Sequence, residues 1–198
     1  MKKKYKIGVI GLGYVGLPLA YEFSKKFETY GFDRSKKRLN EIKRNIDINH
    51  QISAKNLNNS KIKLSNKINH LNEVNFYIVT VPTPITKFNK PDLSFIKSAT
   101  ELVAKHLKKG DIVVFESTVY PGLTNEVCVP LLESLSKLKI NSDFYCGYSP
   151  ERINPGDNSK SITKINKIVS ATNASSLKEI YYVYKKIIKA KVIKTSSI

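Results

Sequence analysis

The sequence predicts a doubly wound α/β domain, with a mostly parallel sheet covered by helices on both faces. Three observations predict it. Short apolar runs alternate with amphipathic helical patterns along the chain. The apolar runs are nearly continuous, as in strands buried on both sides. A glycine-rich turn joins the first apolar run to the first helical pattern.

The elements follow in order. Tyr5 to Ile10 is a short apolar run bounded by charge, hence a buried strand. Gly11, Gly13 and Gly16 follow at once, and Val15 to Lys26 carries Leu17, Leu19, Ala20 and Phe23 at helical spacing. Thr29 to Phe32 reads as a second strand ending at Asp33. Ser35 to Arg44 reads as a helix with Leu39 and Ile42 on one face. Residues 47–75 are polar and Asn-rich, with only intermittent apolar anchors. Phe76 to Val81 is a strand stopped by Pro82 and Pro84. Asp92 to Leu107 is a helix with Asp92 as its N-cap, stopped by Gly110. Ile112 to Phe115 is a strand, Thr124 to Lys137 a helix capped by Thr124, and Phe144 to Tyr148 a strand. Lys167 to Ser170 is a strand, Ser175 to Lys186 a helix, and Val192 to Thr195 a last strand. No repeat or low-complexity linker divides the chain, so residues 1–198 read as one domain. It stops at Ile198, directly after a strand, which reads as the end of a fragment.

Composition excludes several classes. Hydrophobic residues make up 41%, enough for a substantial core. Two cysteines rule out a disulfide scaffold. No apolar run approaches the roughly 18 residues of a membrane span, and nothing resembles a cleaved leader, so a cytoplasmic protein without membrane attachment is expected. The charge balance is unusual, with 34 Lys+Arg against 16 Asp+Glu, a net +18. The surplus is spread over the chain, and only four of the basic residues are arginine. Base and phosphate recognition favours arginine, so no specific nucleic-acid role is expected. His50, His70 and His106 lack metal-ligand spacing, and no metal site is expected. Cys128 and Cys146 lie in apolar elements and read as core.

Gly11-Leu12-Gly13-Tyr14-Val15-Gly16 has the G-x-G-x-x-G spacing between a strand and a helix. Gly11 permits the turn, Gly13 lets the backbone approach a pyrophosphate, and Gly16 allows close packing of helix on strand. The helix N-terminus supplies amides for the phosphates. Asp33 lies 20 residues after Gly13, where a carboxylate accepts hydrogen bonds from ribose hydroxyls. These are the marks of a Rossmann-type dinucleotide site. The acid favours NAD, while Arg34 and Arg38 keep NADP open.

Three segments fall at strand ends, where this fold binds ligands. Val81-Pro82-Thr83-Pro84 is a rigid turn that either sets Thr83 beside the cofactor or is merely stiff. Glu116-Ser117-Thr118-Val119-Tyr120-Pro121-Gly122 offers Thr118 to the nicotinamide side or to a catalytic water. Ser149-Pro150-Glu151-Arg152-Ile153-Asn154-Pro155-Gly156 holds a Glu-Arg pair, read either as an acid–base carboxylate with a phosphate- or sugar-binding cation or as an exposed ion pair.

Taken in order, GLGYVGLP (11–18), VPTP (81–84), ESTVYPG (116–122) and SPERINPGD (149–157) resemble the N-terminal domain of the UDP-glucose/GDP-mannose 6-dehydrogenase family. The second pair of motifs is most similar to its UDP-N-acetylhexosamine branch, which makes uronates for surface polysaccharides such as bacterial capsule. The resemblance covers essentially the whole chain. It implies oxidation of a sugar C6 alcohol to a carboxylate with two NAD⁺, through a thiohemiacetal and a thioester on a cysteine. It implies that Tyr14, Val15, Asp33, Arg38, Thr83 and Thr118 hold NAD. It implies that Glu151 assists proton transfer or hydrolysis, with Arg152 and Ile153 at the substrate. Thr118 joins Glu151 as a candidate for the chemistry. In the family the catalytic cysteine, an essential lysine and an asparagine lie beyond the first domain, and full-length members are homo-oligomers. Cys128 and Cys146 match no nucleophile position, so the expectation is a domain that is inactive alone. Two other readings stand beside it: a non-catalytic NAD-binding module, and another Rossmann dehydrogenase such as a 3-hydroxyacid enzyme, which leaves the SPERINPG loop unexplained.

Overall fold

The computed structural model describes residues 4–151, 161–195 and 198. Its strands are β1 (Lys6–Ile10), β2 (Glu28–Phe32), β3 (Lys63–Ser65), β4 (Phe76–Val79), β5 (Ile112–Phe115), β6 (Tyr145–Tyr148), β7 (Lys167–Ala171) and β8 (Val192–Lys194). Its α-helices are α1 (Gly16–Ser24), α2 (Lys36–Lys43), α3 (Ala54–Asn58), α4 (Ser94–Ala104), α5 (Val129–Ser136) and α6 (Ala174–Lys185). The strands form one sheet in the order β3-β2-β1-β4-β5-β6-β7-β8. Pairing is parallel throughout except between β6 and β7, where Tyr148 faces Ser170 and Gly147 faces Ala171 in antiparallel register. The predicted fold class holds.

The apolar strands feed two cores, one on each face. Phe76 and Ile78 of β4, with Ile112 and Val114 of β5, pack with Leu17, Leu19 and Phe23 of α1 and with Ile180, Val183 and Tyr184 of α6. Their neighbours Tyr77, Val79, Val113 and Phe115 point the other way, onto Ile96, Ala99 and Val103 of α4 and Leu132 of α5. Both side-chain sets of a central strand are therefore buried. This is why these strands read as unbroken apolar runs.

Several boundaries shift for local reasons. The strand from Phe76 stops at Val79 instead of Val81, because Thr80 turns its hydroxyl onto the Gly11 carbonyl at 2.7 Å. The helix expected from Asp92 begins at Ser94, with Leu93 in the N-cap position. Asp92 still accepts a 2.9 Å bond from the Ser94 amide. Thr124 does not cap its helix; it opens a π-helical turn over Thr124–Cys128, preceded by Leu123. Pro130, at the start of α5, has no N–H to continue an α-helical ladder backwards, which accounts for the wider turn. The Asn-rich stretch holds α3, the edge strand β3 and a 3₁₀ turn over Ile68–Leu71. Among the described residues, no helix is long and apolar enough to cross a membrane.

The chain leaves β1 for β2 and β3 on one side, then returns to β4 on the other. The carboxyl ends of β1 and β4 thus flank the point where strand order reverses, and a crevice opens there.

Candidate dinucleotide site and adjoining acid cluster

The glycine turn is built to bring a helix hard against a strand. Gly11 has φ of 94°, a left-handed value that favours glycine, and its amide donates to the Phe32 carbonyl at 2.8 Å. A methyl group on Gly16 would sit 1.8 Å from the Gly11 carbonyl oxygen and 2.4 Å from Thr80 Oγ1. Gly16 is a packing requirement. Gly13 is the opposite case: it is exposed, and a Cβ there would meet nothing within 4 Å. Val15, the N-cap of α1, makes no side-chain cap hydrogen bond. The start of α1 thus has backbone amides without a side-chain cap beside an open Gly13, a surface able to take a pyrophosphate.

Asp33 closes the turn. Its Oδ2 accepts from the Leu12 amide and its Oδ1 from the Ser35 amide, each at 2.8 Å. Each oxygen keeps acceptor capacity for a ribose hydroxyl. Arg38 acts from behind the turn. Its guanidinium is buried, donates from Nε to the Leu12 carbonyl at 2.8 Å, and pairs with Asp47 at 2.7 Å. Asp47 in turn accepts from the amides of Asn49, Gln51 and Ile52. Arg38 therefore ties the glycine turn to the loop over residues 47–52 and does not line the cleft.

The cleft has a volume of about 790 Å³. Gly11 and Asp33 form its floor, and Val81, Pro82, Phe95 and Leu102 give it an apolar wall. A flat aromatic base fits such a wall, with its ribose towards Asp33. Arg34 reaches across the opening to Ser98 Oγ at 3.1 Å. Tyr14 and Val15 stay half-buried on the turn itself.

The two following loops are stitched together. Ser117 Oγ donates to the Val81 carbonyl at 2.6 Å, and Thr83 Oγ1 donates to the Thr118 carbonyl. Thr118 itself is exposed beside this seam. These two bonds join the turn after β4 to the turn after β5.

Glu151 stands at the end of β6 over a buried polar cluster. Lys167 Nζ lies 3.0 Å from Glu151 Oε2 and also bonds Glu116, which accepts a second bond from the Tyr184 hydroxyl. The Lys167 side chain is 3% exposed and that of Glu116 is fully buried. Burial pushes the Glu116 carboxyl up, and Lys167 and Tyr184 offset only part of that. Burial opposes the Lys167 ammonium, but Glu116 and Glu151 outweigh it and hold its pKa above the ordinary lysine value. Ser149 fixes the start of this segment, donating to the Ile168 carbonyl at 2.8 Å. Arg152 and Ile153 lie outside the described residues. Glu116, Lys167 and Tyr184 were not among the expected site residues. The available signal was a charged residue adjoining each of two apolar strands, Ile112–Phe115 and Lys167–Ala171.

Comparisons with known proteins bear on this site. The model of the UDP-glucose/GDP-mannose dehydrogenase family, NAD binding domain, matches residues 5–188. The chain is 50% identical over 194 residues to a UDP-N-acetyl-D-glucosamine 6-dehydrogenase of Salmonella typhi, covering 98% of this chain and 46% of that protein. It is 46% identical over 197 residues to one of Pseudomonas aeruginosa, covering 99% and 47%. Among solved structures, a UDP-D-ManNAc dehydrogenase from Pyrococcus horikoshii matches with a TM-score of 0.88 at 29% identity, covering 97% of this chain and 47% of that one. The chain spans about half the length of the curated relatives it matches.

Proposed function

The chain belongs to the UDP-glucose/GDP-mannose dehydrogenase family, as its NAD binding domain, and from that premise we propose that it is the cofactor-holding half of a UDP-N-acetylhexosamine 6-dehydrogenase. The whole enzyme oxidises the sugar C6 alcohol to the uronate and supplies surface polysaccharide synthesis. NAD⁺, when bound, would supply the hydride acceptor. The residues of this chain hold it: Gly11, Gly13, Tyr14, Val15 and Gly16 at the pyrophosphate, Asp33 at the ribose, Thr83 and Thr118 towards the nicotinamide. Arg38 supports the turn from below. Glu151 assists transfer of the C6 hydroxyl proton or the later hydrolysis, with Arg152 and Ile153 beside the sugar.

The observation that carries this reading is the joint presence, along one end of the sheet, of a dinucleotide cleft and a carboxylate held by a buried lysine. A module that only binds NAD has no use for the second feature. The chain's own thiols do not supply a nucleophile. Cys128 and Cys146 are both buried, and burial pushes the Cys128 thiol up to about 11 and the Cys146 thiol well above its usual range. The covalent stage of the oxidation therefore needs a cysteine from elsewhere in the enzyme. Two of its relatives are UDP-N-acetyl-D-glucosamine 6-dehydrogenases, which supports an N-acetylhexosamine substrate. The family resemblance implies in addition that the whole enzyme is a homo-oligomer, and the sequence reading places it in the cytoplasm.

Titration of the 198-residue chain with NADH, followed by fluorescence, tests the first part; saturable binding is expected, weaker for NADPH. Adding NAD⁺ and UDP-N-acetylglucosamine to the same chain is expected to give no steady NADH production. Absence of NADH binding overturns the reading. Sustained turnover by the isolated chain overturns the claim that it is half of the machinery.

A further inference from the structure

The cluster beneath Glu151 is costly. An ammonium and two carboxylates are taken out of water, and such groups add little net stability compared with an apolar replacement. The Lys167 side chain is 3% exposed, that of Glu151 7%, and that of Glu116 not at all. Every group in it is also braced. Tyr184, buried on α6, donates to one oxygen of Glu116 while Lys167 bonds the other. Glu116 cannot rotate without losing a bond, so the Lys167 ammonium has one fixed direction left, towards Glu151. The segment that carries Glu151 is itself pinned by Ser149 to the backbone of β7, one residue from Lys167. From the same strand end, the Tyr148 hydroxyl oxygen accepts from the backbone amide of Val119, next to Thr118.

We propose that Lys167, braced by Glu116 and Tyr184, is a positioning residue that fixes the Glu151 carboxylate for its proton-handling role in nucleotide-sugar oxidation. The inference rests on the function proposed above and adds three residues to it. None of the three touches the dinucleotide cleft, so their loss acts on turnover and spares the cofactor.

The test uses the full-length protein carrying this domain. The double variant Glu116→Gln/Lys167→Met removes the two most deeply buried charges at once, so that only Glu151, with 7% of its side chain exposed, loses its cation. Thermal unfolding, NADH affinity by fluorescence, and kcat and KM for UDP-N-acetylglucosamine are measured. The double variant is expected to keep NADH affinity within about twofold and KM within about threefold. Its kcat is expected to fall on the order of 100-fold, the scale of a misplaced acid–base group. Lys167→Arg, which keeps the cation, is expected to retain at least about ten times the kcat of the double variant. If the double variant does not fold, Tyr184→Phe decides, since it removes one hydroxyl; a kcat drop of roughly threefold or more with unchanged NADH affinity is expected. A folded double variant, or failing that a folded Tyr184→Phe, with kcat within twofold of the parent overturns the proposal. So does an arginine variant no better than the double. A parent protein that binds NADH but oxidises no UDP-sugar overturns the functional reading itself, a result visible before any variant is made.

Discussion

Gly16→Ala tests the glycine turn most severely, and Gly13→Ala is its control. A methyl group on Gly16 would lie 1.8 Å from the Gly11 carbonyl oxygen, about 1.2 Å inside the 3.0 Å that Cβ atoms keep from other heavy atoms. That oxygen is backbone, and it is held by the Thr80 hydroxyl at 2.7 Å, so it has no easy retreat. The helix must lift off the strand instead, opening the packing of Leu17, Leu19 and Ala20, all fully buried. Overpacking of this kind typically costs about 1–3 kcal/mol, and rigid backbone on one side puts this case at the upper end. For a domain of this size about 3 kcal/mol lowers Tm by roughly 6–12 °C. NADH affinity falls too, because the amides at the start of α1 move with the helix. Gly13→Ala meets nothing within 4 Å, so Tm is expected to hold. The added methyl occupies the space through which a pyrophosphate approaches, and NADH binding weakens by about tenfold or more, ~1.4 kcal/mol. The assay is a thermal melt paired with an NADH titration for each variant of the 198-residue chain. A Gly16→Ala protein that melts with the parent refutes the packing argument. A Gly13→Ala protein with parental affinity refutes the assignment of the pyrophosphate to this turn.

Other predictions follow from neighbouring groups. Asp33→Asn keeps one acceptor oxygen but no charge; NADH affinity is expected to fall about tenfold and the preference over NADPH to narrow, read by parallel titrations. Arg38→Met leaves the buried Asp47 carboxylate without its counterion, held only by the amides of Asn49, Gln51 and Ile52; a loss of about 3 kcal/mol is expected in a denaturant melt, and Arg38→Lys rescues it only in part because an ammonium lacks the planar fork that reaches Leu12 and Asp47 together. Cys128 and Cys146 are expected to resist thiol reagents at pH 8 until the protein is unfolded. Both folded pKa values are raised by burial, so this contribution to stability is fully present below the ordinary thiol value and is lost as pH rises above it, where the unfolded thiols ionise first; for Cys128 the loss runs from about 9 to about 11.

The elements with strong local patterning were legible in the sequence. Ile112 to Phe115 was bounded to the residue, because four apolar side chains lie between Asp111 and Glu116 and all four are buried. The glycine turn and Asp33 were legible because their spacing follows from the geometry of strand, turn and helix. Arg38 was legible as important but not in its direction. Its partner Asp47 sits in a loop after a positive-φ Asn45, and nothing local in residues 45–52 shows that the loop folds back under the turn. The cap at Thr124 failed for a nonlocal reason of another kind: a proline six residues on changes the helix type at its start.

Lys167 shows how topology can move a residue into a site. Had β7 run parallel to β6, its first residue would sit at the amino end of the sheet, away from every ligand-bearing loop. The strand has five residues, and at about 3.3 Å per residue that places Lys167 some 13 Å from the edge where Glu116 and Glu151 stand. The one antiparallel pairing in the sheet turns β7 round, so that its start lies beside the ends of β5 and β6. A lysine opening an apolar strand then becomes the buried cation under Glu151. The same reversal explains its absence from the sequence reading: an apolar strand pattern carries no sign of which way the strand runs beside its neighbour. The net charge of +18 is a poor guide to function for a related reason. The two basic residues that matter most to the site, Arg38 and Lys167, are both buried and already neutralised by acids, so they add nothing to the field that the solvent meets.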